Sequence, residues 1–232
     1  MRILLTNDDG IEAPGLASLH RSLSEWAEVL VVAPRDQRSE CGHSVTTRGS
    51  IHFQQRFPGW WAVDGTPVDC VRIACQCLEG PIDAVFSGVN EGGNLGTEIY
   101  LSGTVAAARE AAFHDIPAVA VSHYRHPQIA RTWDHVPQWL RGRLQPLVTS
   151  QHKAGQFWNL NLPAIDPADP TPELVSASTD CTPLPFAFVN DGDRVRYTCD
   201  YQGRARHVGT DVAICFGGSI SLAAIPLRWP AT

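Results

Sequence analysis

The sequence predicts an α/β protein: a Rossmann-like three-layer sandwich with a mostly parallel sheet, followed by a β-hairpin-rich C-terminal extension. Three observations carry this. Apolar runs of strand length alternate with longer helical stretches up to about residue 160, the pattern that builds a parallel sheet covered on both faces. The 232 residues are 44% hydrophobic and 18% charged, enough apolar material for a full core and too little charge for disorder or a coiled coil. Polar, glycine-containing segments follow the strand candidates, where open parallel sheets bind ligands.

Ile3–Thr6 is a short apolar run ended by a polar turn, and Pro14 then opens a helix to about Trp26. Proline suits a first helical turn, where its missing N–H costs nothing. Val29–Ala33 is the next strand, stopped by Pro34. Residues 45–64 alternate and carry Gly49, Pro58 and Gly59, which predicts a β-hairpin. Thr66-Pro67 caps a helix to about Leu78, Ala84–Ser87 is a strand, and Ser102 caps a helix to His114. Ala118–Ser122 is a strand, residues 128–148 form a helix broken at Pro137 and Pro146, and Phe157–Leu160 is the last strand of the core. Residues 1–162 are expected to form the core. Residues 163–232 make a β-rich extension with strands at Arg194–Thr198, Val212–Phe216 and Ile220–Ile225, integrated with the core into one domain.

Composition excludes several classes. The net charge of -6 argues against nucleic-acid binding, which needs a basic face. No apolar run is long enough to span a membrane, and the apolar stretch at the N-terminus is too short for a signal peptide, so a cytoplasmic protein is expected. Seven scattered cysteines, an odd number, read as reduced thiols. The spacing of Cys70, Cys75 and Cys77 is not that of a zinc site. Lys153, the lone lysine, follows no glycine-rich phosphate loop, which excludes a Walker-type site.

Four segments carry polar chemistry. Asn7-Asp8-Asp9-Gly10 follows the first strand. Adjacent carboxylates repel, and a hard divalent cation, Mg²⁺ or Mn²⁺, resolves the conflict by taking oxygen ligands. After the second strand, Ser39 offers a neutral oxygen. After the strand ending at Ser87, Asn90 offers an amide oxygen, and Gly92-Gly93-Asn94 lets backbone N–H groups approach an anion. Ser102-Gly103-Thr104 opens a helix whose N-terminus favours a phosphate. Gly65-Thr66-Pro67-Val68-Asp69 reads as a helix cap. His43 lies close enough to Ser39 to bear on the site, while the other histidines share no metal-binding spacing.

Taken in order, these segments resemble the SurE (survival protein E) family of metal-dependent nucleotidases. The resemblance rests on Ile3 through Gly10 with Ala13-Pro14-Gly15, Ala33-Pro34 through Ser39, and Gly65-Thr66-Pro67 with Asp69-Cys70-Val71. It continues through Ser87-Gly88-Val89-Asn90, Asn94-Leu95-Gly96 and Ser102 to Ala108, and more weakly through Gly209-Thr210-Asp211 and Ser219-Ile220-Ser221. It implies a phosphomonoesterase acting on nucleoside 5′-monophosphates, on 3′-monophosphates and on short polyphosphate. It also implies one divalent cation held by Asp8, Asp9, Ser39 and Asn90, with Asp8 and Asp9 catalytic, and a homodimer. Glu40 stands where the family usually has glycine, and Leu101 where it commonly has tyrosine. Residues 180–200 match poorly, in a neighbourhood the family uses as a loop over the substrate. The chain's end at Thr232 predicts that the family's C-terminal helix is missing, which favours a dimer over a tetramer. The competing reading is a nucleotide-binding protein of the same fold with altered or lost turnover.

Overall fold

The computed structural model describes residues 1–227, so the expectation about the chain's end lies outside the described residues. The elements follow in order: β1 (Arg2–Thr6), α1 (Pro14–Ser24), β2 (Glu28–Pro34), β3 (Phe53–Phe57), β4 (Trp60–Val63), α2 (Pro67–Cys77) and β5 (Ala84–Glu91). A 3-10 turn at Gly96–Tyr100 leads into α3 (Gly103–Phe113), then β6 (Ala118–His123), α4 (Val136–Leu140), α5 (Gln145–Val148) and β7 (Gln156–Leu162). The remainder holds β8 (Leu174–Ala177), β9 (Ala187–Asp191), β10 (Arg194–Thr198), α6 (Asp211–Phe216) and β11 (Ile220–Pro226).

Nine strands form one sheet in the order β3-β4-β2-β1-β5-β6-β7-β11-β8. From β4 to β7 every neighbouring pair is parallel, while β3 and β11 run antiparallel to β4 and β7. The central strands are buried on both faces, and their period of two divides them cleanly. Ile3, Leu5, Ala84, Phe86, Val119 and Val121 pack towards α1, α4 and α5. Leu4, Val85, Ala118 and Ala120 pack towards α2 and α3. The alanines of α3 (Ala107, Ala108, Ala111) let its backbone approach the sheet closely, which brings its N-terminus to the strand ends.

The Gly65–Asp69 segment is the cap it was read as. Thr66 Oγ1 accepts from Asp69 N at 3.1 Å, and Asp69 Oδ2 accepts from Thr66 N at 2.9 Å, a reciprocal box that satisfies two orphan donors of α2. Asp69 also holds the preceding loop by accepting from Thr46 N and Thr46 Oγ1.

Some elements differ from expectation. Val212–Phe216 is helix α6 and not a strand: Thr210 Oγ1 accepts from Ala213 N at 3.3 Å, and Val212 and Cys215, three residues apart, turn one face inward. A short apolar run looks the same in both periods, and the cap decides it. The helix expected over 128–148 is two short pieces, α4 and α5, each with its proline in the first turn. Within 45–64 only β3 and β4 pair, with a register irregularity between Gln55 and Phe57. After residue 163, β8, α6 and β11 belong to the main sheet and its core, whereas β9 and β10 form a separate two-stranded hairpin. No helix among the described residues is long and apolar enough to cross a membrane.

Candidate active site

The carboxyl ends of β1, β2 and β5 and the N-terminus of α3 meet at one edge of the sheet. Each carries part of the site because the local chain leaves it little choice. After β1, Asn7 Nδ2 donates to Gly10 O at 2.8 Å, and Gly10 has φ +102°, so the turn is pinned with Asp8 and Asp9 at its apex. The loop after β2 is tied to that turn by Arg38 N, which donates to Asp8 O at 2.7 Å. At the end of β5, Glu91 N donates to Asp9 Oδ2 at 2.9 Å.

Asp8, Ser39, Asn90, Gly92, Gly93, Asn94 and Ser102 line a single cleft of about 860 Å³. Asp9 is turned the other way, into a smaller hollow of about 160 Å³ beside Glu91 and Trp133. Gly103 and Thr104 lie buried behind Asp8 and not on the cleft wall. The Thr104 hydroxyl donates to Asp8 Oδ1. A Cβ on Gly103 would stand 3.0 Å from Asp8 Oδ2 and 2.7 Å from Cys41 Sγ. These two residues therefore support the carboxylate from behind, with glycine required by the close approach.

The glycine loop holds fewer free donors than its composition suggests. Gly92 N donates to His123 O at 3.0 Å. Asn94 is largely committed: its N–H donates to Asn161 Oδ1, its Nδ2 donates to Ser122 Oγ, and its backbone carbonyl accepts from Asn159 Nδ2 and Asn161 Nδ2. Gly93 is left with an N–H that has no partner among the described residues. At the helix start, Ser102 Oγ is occupied in capping Val105 N at 3.1 Å.

Burial raises the Asp8 carboxyl to about 6, with Thr104 pulling it down and Asp9 pushing it up. Asp9 is also raised, by burial first; the Glu91 N–H lowers it and the Glu91 charge raises it. Asp8, Glu40, Glu91 and Glu98 all line the cleft, and no arginine or lysine of the described chain does. A phosphate ester could enter so acidic a cleft only with a cation to neutralise it. The residues present fit such an ion. Asn90 Nδ2 donates to Gly92 O at 2.8 Å, which leaves Oδ1 as its free donor atom. The candidate set on the cleft is then the Asp8 carboxylate with the Ser39 hydroxyl and Asn90 amide oxygens, hard ligands that suit Mg²⁺ or Mn²⁺, while Asp9, the other predicted ligand, opens on the adjoining hollow. Among the described residues there is no group of three or more His, Cys, Asp or Glu arranged for a metal.

His43, expected near Ser39, instead pairs its Nε2 with Glu110 Oε2 at 3.0 Å, a buried carboxylate of α3 that Arg72 of α2 also holds. Glu40 is exposed, with φ +58°, and Leu101 is 65% exposed; both line the cleft. Sequence reasoning missed Glu98, Leu184, Tyr197, Cys199 and Tyr201, which complete the wall. Four of these come from the β9–β10 region, where no motif marked them. The alternating aromatics Phe186, Phe188 and Tyr197 were the available signal.

Strand order, the ring of polar loops at the strand ends and the cleft define a doubly wound α/β protein with its ligand site at the carboxyl edge of the sheet. A family model described as "Survival protein SurE" matches residues 3–181. A protein of Nostoc sp., provisionally named a 5′-nucleotidase, is 44% identical over 225 residues, covering 97% of this chain and 99% of that one. The "5′-nucleotidase SurE" of Treponema pallidum is 50% identical over 127 residues, covering 53% of this chain and 68% of that one. The crystal structure of the SurE protein from Aquifex aeolicus superposes with a TM-score of 0.88 at 26% identity, over 98% of this chain and 94% of the other. The chain belongs to the SurE family.

Proposed function

We propose that the protein is a metal-dependent phosphomonoesterase that hydrolyses nucleoside 5′-monophosphates to nucleoside and phosphate. The same reading extends to 3′-monophosphates and short polyphosphate as further substrates. The observation that carries this is the acidic cleft: four carboxylates and no basic side chain surround a glycine loop and a helix N-terminus, an arrangement that accepts a phosphate only through a bound cation. The relatives' 5′-nucleotidase names supply the substrate class.

Asp8, Ser39 and Asn90 would hold the ion from the cleft, with Asp9 as the fourth ligand from the adjoining hollow. When bound, a divalent cation supplies positive charge for a phosphoryl oxygen and makes water a stronger nucleophile at neutral pH. Asp8, fixed by Thr104 behind it, orients the attacking water in line with the departing ester oxygen. Asp9, held by the Glu91 N–H, shares the ligand role and keeps its second oxygen for a water. The N–H of Gly93, on the cleft wall, faces an equatorial oxygen, where charge is stabilised as the phosphoryl group transfers. The α3 N-terminus adds its dipole to the same end.

The seven free thiols suit a reducing cytosol. The exposed apolar face of the hairpin, with Phe186, Phe188, Val195 and Tyr197, supports a homodimer. Substituting Asp8→Asn or Asp9→Asn tests the reading: metal-dependent phosphate release is lost with the fold intact. Near-normal turnover of either variant with added Mn²⁺ overturns the assignment.

A further inference from the structure

We propose that Glu98 reads the sugar of the substrate, accepting a hydrogen bond from a ribose hydroxyl on its Oε1. The inference rests on the nucleotidase reading above and adds a specificity residue to it. Glu98 lines the cleft, and its side chain is 17% exposed. Its other oxygen is fully committed. Arg204 Nη1 donates to Oε2 at 2.7 Å and Tyr201 Oη donates to the same atom at 3.1 Å. Arg204 is itself only 5% exposed, its guanidinium over the Tyr201 ring with Nη2 donating to Leu95 O. The carboxylate is thus fixed in one rotamer by two donors on one side. Oε1 has no side-chain donor among the described residues; besides Arg204 and Tyr201, only the Leu95 backbone acts on the carboxylate as a hydrogen-bond donor.

A carboxylate clamped in this way is a preorganised acceptor for a neutral donor. It repels a phosphate and attracts a hydroxyl. Its position selects the sugar over the base. Glu98 O accepts from Leu101 N at 2.9 Å and from Ser102 N at 3.2 Å, so Glu98 stands one turn before the start of α3. Glu98 shares the cleft wall with Asp8 and Ser102, beside the proposed phosphate end, and the part of a nucleoside 5′-monophosphate next to the phosphate is the sugar. Burial raises the Glu98 carboxyl, and the Arg204 hydrogen bond and charge oppose that rise.

The test measures kcat/KM with Mn²⁺ for AMP, 2′-deoxy-AMP and 3′-deoxy-AMP, all as 5′-monophosphates, in the wild type and in Glu98→Gln. The wild-type enzyme is also assayed on p-nitrophenyl phosphate, which has no sugar. The wild type is expected to lose about tenfold or more on at least one deoxy substrate, mainly in KM, because a buried acceptor is left without its donor. In Glu98→Gln, with its fold checked by circular dichroism, that discrimination shrinks towards unity. Arg204 and Tyr201 retain the amide oxygen, and the charge is gone from the side facing the sugar. Should the variant not fold, the wild-type ratios decide. Equal handling of all three nucleotides by an active wild type overturns the sugar role and leaves the phosphomonoesterase reading standing, as does discrimination undiminished in Glu98→Gln. No release from any ester overturns the nucleotidase reading and the inference with it.

Discussion

Acidification should unfold this protein through two buried histidines behind the glycine loop. His123 Nε2 and His135 Nε2 are 2.8 Å apart, with residue exposures of 2% and 8%. The hydrogen bonds around them assign one neutral arrangement. Tyr124 O lies 2.9 Å from His123 Nδ1, so that nitrogen carries a proton and His123 Nε2 accepts from His135 Nε2–H. Thr132 Oγ1, 3.2 Å from His135 Nδ1, completes the chain as a donor. A further proton on His123 would set two N–H groups against each other in a buried site. Burial first, then the Arg125 charge, lowers His123 to about 3 and His135 to about 4.

Folded values below the unfolded 6.5 mean that the unfolded chain binds more protons. This contribution is therefore fully present above pH 6.5 and is lost as the pH falls towards 4. At pH 4.5 a shift of two units is worth about 3 kcal/mol for one ring at about 1.36 kcal/mol per unit, and since the two rings share one hydrogen bond the pair costs about 3–5 kcal/mol. That is a large share of a typical domain's stability of about 5–15 kcal/mol. The assay is urea denaturation at pH 7.5 and 4.5, with the imidazole resonances followed by NMR over the same range in the folded state. The rings of His123 and His135 should not titrate above pH 5. Either ring titrating near 6.5 in the folded protein refutes the reasoning.

Thr104→Val removes the donor that orients Asp8; it should weaken Mn²⁺ binding about 10–100-fold by calorimetry, and unchanged affinity contradicts the supporting role. Gly103→Ala puts a Cβ 2.7 Å from Cys41 Sγ and 3.0 Å from Asp8 Oδ2. It should cost about 1–3 kcal/mol in urea melts together with a large loss of turnover. Gly88→Ala puts a Cβ 2.0 Å from Val121 O at a position with φ +133°; its soluble yield should collapse, and a normal melting curve contradicts the packing. Glu110→Ala removes the buried carboxylate that partly exposed Arg72 and His43 share, with an expected loss of about 1–2 kcal/mol in denaturant and little change in KM.

The core was legible because strands buried on both faces have nowhere to hide their composition: Ile3-Leu4-Leu5 and Ala118 through Val121 announce themselves as apolar runs. The caps at Thr66 and Ser102 were legible because an oxygen side chain before an apolar stretch has few other uses. What sequence patterning could not show was competition for the same atoms. Thr104 and Asn94 look like substrate ligands by type and position. Their hydrogen-bonding groups are spent on Asp8 and on Asn159, Asn161 and Ser122, contacts between residues far apart in the chain. Val212–Phe216 misled for another reason: its apolar residues fit either period, and only the partner of Thr210 settles the choice. Glu98 was invisible because its meaning depends on Arg204 and Tyr201, over a hundred residues downstream.

The central claim, a cation-dependent phosphomonoesterase in an acidic cleft, is tested most directly by phosphate release from a panel of 5′- and 3′-nucleoside monophosphates with Mg²⁺, with Mn²⁺ and with EDTA. Release from 5′-monophosphates that requires the metal and that EDTA abolishes is the predicted result. Folded protein that releases no phosphate under any of these conditions, or releases it undiminished in EDTA, contradicts the account.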